Sequence, residues 1–114
     1  MEATRGRQLE IYQTEEGRRP FLDWLRGLRD TTTRARIRAR LDRVALGNFG
    51  NCRAIESGVS ELKIDFGPGY RVYFGADGDR VIVLLYGGDK SSQTKDIEIA
   101  KSFWADYRRR DGEA

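Results

Sequence analysis

The sequence predicts an α+β fold with elements in the order β-α-α-β-β-β-α: a mostly antiparallel sheet, two N-terminal helices on one face of it, and a C-terminal helix. Three observations lead there. Leu62, Ile64 and Phe66 alternate with Glu61, Lys63 and Asp65, and Tyr70, Val72 and Phe74 alternate with Arg71 and Tyr73. Such a period of two belongs to strands with one buried and one wet face. Val81–Tyr86 is an unbroken apolar run, the mark of a strand buried on both faces. On either side of these strands the apolar residues recur at helical spacing instead.

In chain order, Gln8–Gln13 alternates as a short strand, with Leu9 and Ile11 on one side. Thr14–Arg19 is polar, contains Gly17 and reads as a turn. Pro20 suits the first position of a helix, where its missing N–H costs nothing, and Phe21, Trp24, Leu25 and Leu28 form an apolar stripe through Arg29. Asp30 and Thr31–Thr33 offer N-caps for a second helix striped by Ile37, Leu41, Val44 and Ala45 and closed by Gly47 and Gly50. Its outer face is expected to carry Arg34, Arg36, Arg38, Arg40 and Arg43, a row able to follow an RNA backbone, dock an acidic segment or simply remain solvated.

Asn48–Ser60 reads as irregular. The three strands that follow turn at Gly67-Pro68-Gly69 and at Asp77-Gly78, the latter a strong hairpin signal. Asp89–Gln93 is a polar exit loop. A third helix begins near Thr94 and turns Ile97, Ala100, Phe103 or Trp104, and Tyr107 inward. The sheet face away from the first two helices is expected to stay partly open. The whole chain, 1–114, is expected to be one domain with flexible ends at 1–7 and 108–114.

Composition narrows the function. Among 114 residues, 21 basic and 18 acidic side chains leave a net charge of +3, with the excess in the N-terminal half and arginine dominant. Arginine suits bidentate contact with phosphate. With no histidine and a single cysteine, Cys52, neither a zinc site nor an internal disulfide is expected, and no cofactor is called for. No apolar run approaches the roughly 18 residues that span a bilayer, and the start lacks a secretion signal, so a cytoplasmic location without membrane attachment is expected.

The order of elements, together with RRPFLDWLRGLRD near the start, ELKIDFGPGYRVYF and LLYGGDKSSQTKDIEIAK, resembles the RelE/ParE superfamily of bacterial toxins, and within it the HigB-like "addiction module killer protein" branch. The likeness runs from about Leu9 to Trp104. It is carried chiefly by the turn Gly67–Arg71 and the exit Gly87–Gln93. The resemblance implies a RelE-like fold and the toxin of a type II toxin–antitoxin system. Such a toxin is a metal-independent endonuclease of messenger RNA, commonly acting on the ribosome through attack of the ribose 2′-hydroxyl on the adjacent phosphate. It also implies a cognate helix-turn-helix antitoxin of HigA type, with operator DNA bound only through the antitoxin complex. ParE-type relatives inhibit DNA gyrase without cutting RNA, and a catalytically weak antitoxin-binding module is a third outcome of the same fold.

Metal-free cleavage of RNA needs a base, an acid and positive charge at the phosphorane. Arg71, at the arginine of the superfamily's G-Y-R motif, is the expected phosphate ligand. Lys63, on the same strand face, is expected as base or phosphate contact, with Glu61 and Asp65 as alternative bases. Lys90, in the exit loop, would protonate the leaving group or bind phosphate. Tyr73 could stack a base, and Arg36, Arg40 and Arg43 would follow the RNA strand. Asp89 and Gln93 are expected to cap the last helix or orient Lys90. RelE itself uses an arginine in the exit loop and a tyrosine in the last helix, where this chain has residues near Ser91 and Ile97.

Overall fold

A computed structural model describes residues 6–113. Strands β1 (Gln8–Ile11), β2 (Cys52–Ala54), β3 (Val59–Ile64), β4 (Tyr70–Asp77) and β5 (Val81–Asp89) form one sheet in the order β1-β5-β4-β3-β2. Helices α1 (Pro20–Gly27) and α2 (Thr31–Ala45) precede β2, and a 3₁₀ turn (Lys90–Ser92) leads into α3 (Gln93–Glu113). The fold is α+β, as expected, but the sheet is mixed: β1 runs parallel to β5, and the other neighbours are antiparallel. The expected order also lacks β2. Three residues carry too little alternation to announce a strand; β2 exists because Cys52–Ala54 pairs in register with Ser60–Leu62.

The helix starts follow their local chemistry. Pro20 opens α1, which ends at Gly27 because Leu28 turns extended. Asp30 caps α2, accepting a hydrogen bond from the Thr32 amide at 3.0 Å. Gly17 in the turn before α1 and Gly67 and Gly69 in the turn between β3 and β4 hold positive φ, a conformation that side chains resist.

Two cores flank the sheet. Under α1 and α2, Phe21, Leu25, Ile37, Leu41 and Val44 meet Leu62, Ile64, Val72, Phe74, Ile82 and Leu84. Under α3, Ala100 and Trp104 meet Tyr12, Val59, Tyr73, Val83 and Leu85. The run Val81–Tyr86 therefore feeds both cores, as its unbroken apolarity predicts. The second core corrects the expectation of a partly open face, which α3 covers.

That cover is long because the charged tail does not end the helix. Residues 108–113, expected as a flexible end, continue α3, and of the other expected flexible end residues 1–5 lie outside the described residues. Asp106 organises the extension. It accepts the Tyr12 hydroxyl at 2.5 Å and pairs with Arg109 and Arg110, while Arg110 Nη2 donates to the Gln13 carbonyl at 2.6 Å. The Tyr107 hydroxyl ties the same helix to Asp77 at 2.8 Å.

A bulge sets the geometry of the far end of the sheet. Tyr73 pairs with Tyr86 but Phe74 pairs with Leu84, so Leu85 is an extra residue on β5. Past it, Gly87 faces α1 and Gly88 faces α3. A Cβ on Gly87 would lie 2.2 Å from the Trp24 ring, and one on Gly88 would lie 1.8 Å from Asp96 Oδ2.

Two outcomes are expected. A Cβ at Gly75 would lie 2.5 Å from the Trp104 ring, which is packed and cannot swing away. Gly75→Ala should cost about 1–3 kcal/mol, read as a lower urea midpoint. The Tyr12 hydrogen bond, followed by Arg110, holds the Asp106 carboxyl below the usual carboxylate range, with burial opposing, while burial pushes the Tyr12 hydroxyl up to about 12. A depressed carboxyl stabilises the fold above the ordinary aspartate range and loses that contribution as pH falls through its folded value. Amide exchange at the C-terminal turns of α3 should therefore quicken in acid, and Asp106→Asn should flatten the dependence.

Candidate functional site

The register of β3, β4 and β5 brings the expected catalytic residues to one end of the sheet. Lys63 stands directly opposite Arg71, and Arg71 in turn opposite Gly88; Glu61 stands opposite Tyr73. Lys90 follows two residues after Gly88, exposed in the 3₁₀ turn. Asp89 accepts hydrogen bonds from the Ser91 hydroxyl and amide, which hold its carboxyl low. It thus caps the turn rather than α3.

These residues do not share a wet face. Glu61 is 3% exposed, Arg71 6% and Tyr73 fully enclosed. The cause is α3, whose first turn closes over them. Glu61 accepts a hydrogen bond from Arg53 Nε at 3.0 Å and from Gln93 Nε2 at 2.8 Å, and its Oε2 lies 3.8 Å from Arg71 Nε. With both oxygens occupied, this carboxylate is an anchor and not a solvent-facing base. Arg71 donates through Nη1 to the Gly69 carbonyl at 3.1 Å, and its Nε is enclosed without a hydrogen bond.

Tyr73 is likewise unsuited to stacking a base. Its ring is core, and its hydroxyl is enclosed without a hydrogen-bond partner. Burial, then Glu61 and Asp96 nearby, push that hydroxyl up, so it stays protonated. Ile97 packs against the same core.

The arginine row of α2 divides. Arg36 and Arg43 are exposed as expected, but Arg40 is buried, at 8% exposure. It turns inward because three carbonyls need a donor: Arg40 reaches Phe49 O at 2.6 Å, Asn51 O at 3.1 Å and Lys63 O at 3.4 Å. Arg36, Arg40, Arg43, Lys63 and the exposed Asp65 line one open cleft between α2 and the end of β3, with a volume of about 410 Å³.

Several polar residues of the site carry no individual mark in the sequence. Asp96, 4% exposed, lies behind Gly88 and accepts the Ser92 hydroxyl at 2.5 Å. Gln93 spans from α3 to Glu61, and Arg53 reaches it from β2. The paired glycines were the available signal, since a Gly-Gly after an apolar strand permits close approach from both sides. Among the described residues no three acidic or cysteine side chains gather as a metal site, and no helix is long and apolar enough to cross a membrane.

A sequence model described as "Phage derived protein Gp49-like (DUF891)" matches residues 23–104. The chain is also similar to an uncharacterized protein of Haemophilus influenzae, 46% identical over 81 residues that make up 71% of this chain and 82% of that one. The matched span, 23–104, covers α1 to the middle of α3 and so contains every residue described around Arg71.

Removing the anchor should cost more than removing either flanking cation. Glu61→Ala leaves the Arg71 guanidinium enclosed without its counter-charge and should destabilise by about 3–5 kcal/mol. Lys90→Ala, at an exposed position, should leave the urea midpoint unchanged. Equal midpoints for both variants would mean that Glu61 is not the anchor described.

Proposed function

The chain belongs to the Gp49-like family, a RelE-like toxin family of toxin–antitoxin systems, and on that premise we propose that it is a toxin that arrests growth by cutting messenger RNA, without a metal, on the ribosome. Toxins of this family are often ribonucleases and typically pair with an antitoxin. The partner proposed here is a helix-turn-helix antitoxin of HigA type, through which the pair would hold its operator. The site of action is the cytoplasm.

The observation that carries the reading is the cross-strand pair of Lys63 and Arg71, with Lys90 just beyond β5. A phosphate brought to this end of the sheet would meet Arg71 and Lys90 as positive charges, with Lys63 beside them. A phosphorane gains negative charge over its ground state, so a fixed guanidinium stabilises the transition state more than the substrate. Arg71 supplies that charge, held in orientation by Gly69 and Glu61. Lys63, half-buried across from it, acts in its neutral form and takes the proton from the 2′-hydroxyl. Lys90, on the exposed turn, gives one to the departing 5′-oxygen. In this assignment the lysines do the proton transfers, since neither Tyr73 nor Ile97 can.

A second reading, a gyrase-directed inhibitor of ParE type, is favoured by one specific observation: the burial of Glu61 and Tyr73 removes two expected groups from solvent.

Inducible expression with genome-wide mapping of RNA 5′ ends separates the two. Wild type should give codon-phased cuts. Lys63→Ala and Lys90→Ala should reduce cutting by about 10²-fold or more while leaving the protein folded, and Arg71→Lys should reduce it by about 10²–10³-fold. Growth arrest with intact transcripts and accumulated cleaved DNA would replace the first reading by the second.

A further inference from the structure

The cleft between α2 and the end of β3 holds more unspent chemistry than phosphate binding needs. Arg40 is committed to three carbonyls and forms its floor. The Arg36 guanidinium lies over the Phe66 ring, 4.3 Å from its centroid. Among the described residues none of Arg36, Arg43, Lys63 or Asp65 takes part in an ion pair. Burial, then the neighbouring Arg43, push the Arg40 guanidinium down, as expected where positive charge is left without enough negative charge to offset it. The cleft thus combines a planar platform, free cations and one free carboxylate.

We propose that this cleft is a guanine-selective nucleotide subsite. The base stacks on the Arg36 plane already seated on Phe66, its Watson–Crick edge donates to Asp65, and its phosphate is taken by Arg43. The carboxylate dictates the base. Only guanine offers two adjacent donors, N1–H and N2–H, to a two-oxygen acceptor. Adenine and cytosine set a ring-nitrogen acceptor beside their amino group, and uracil flanks its single N–H with carbonyls. An acidic peptide would use the cations but be repelled by Asp65 and gain little from the platform. The inference extends the ribonuclease reading through Lys63, which borders both this cleft and Arg71, so that the guanine would sit beside the scissile phosphate.

The test needs no cleavage. The full-length protein is titrated with GMP, AMP, CMP, UMP and a hexaglutamate peptide while the backbone amides of Gly50, Asp65 and Phe66 are followed by NMR. GMP should shift these amides and bind about tenfold more tightly than the other nucleotides, and Asp65→Asn should erase that preference. Equal affinity for the four nucleotides, an unchanged preference in Asp65→Asn, or tighter binding of hexaglutamate at these amides overturns the subsite. Any of those results beside intact RNA cutting leaves the ribonuclease reading standing. A guanine preference in a protein that cuts no RNA overturns that reading and leaves the subsite.

Discussion

Everything at the far end of the sheet depends on the enclosed carboxylate of Glu61. It is the meeting point of three elements: Arg53 from the edge strand, Arg71 from the neighbouring strand and Gln93 from the start of α3. A guanidinium as enclosed as Arg71 needs either a set of acceptors, such as the three carbonyls that hold Arg40, or a counter-charge; Arg71 has one carbonyl and depends on Glu61, because desolvating an unpaired charge costs several kcal/mol. The same carboxylate locks the first turn of α3 onto the sheet and orients the arginine that the proposed chemistry requires. Stability and the proposed chemistry would therefore share one residue.

The strands of this protein were legible because alternation and an apolar run report burial directly. β3, β4 and β5 follow their patterns, and the caps Pro20 and Asp30 start their helices where expected. What the sequence did not reveal was which charged side chains would be enclosed. Glu61, Arg71 and Tyr73 alternate with apolar neighbours just as solvent-facing residues do, and only the passage of α3 across that face distinguishes them. The charged composition of 108–113 hid the reach of that helix, since Arg109 and Arg110 find their partner, Asp106, within the helix itself. Arg40 was misread because its charge was weighed above its position: three residues after Ile37 and four before Val44, it borders the buried stripe of α2, and three carbonyls of the following chain hold it there.

The two faces of the sheet end up with different work. The face under α1 and α2 is a dry core, with polar chemistry confined to the rim where α2 meets β3. The face under α3 is apolar through Val83, Leu85 and Trp104, then changes within one strand spacing to Glu61, Arg71 and Asp96. The bulge at Leu85 makes this change possible, because it resets which residues of β5 face each layer before Gly87 and Gly88 are reached.

The brevity of β2 has a consequence for how the molecule keeps to itself. A sheet that ends on an exposed strand offers its free carbonyls and amides to any extended chain that drifts past, and crowded solutions exploit such offers. Here the outer strand is three residues long, and beyond it the Lys63 amide is taken by the Asn51 carbonyl and the Lys63 carbonyl by Arg40. An arginine thus occupies the place another strand would fill beside the end of β3, and this stretch of the sheet's edge offers little to a passing strand.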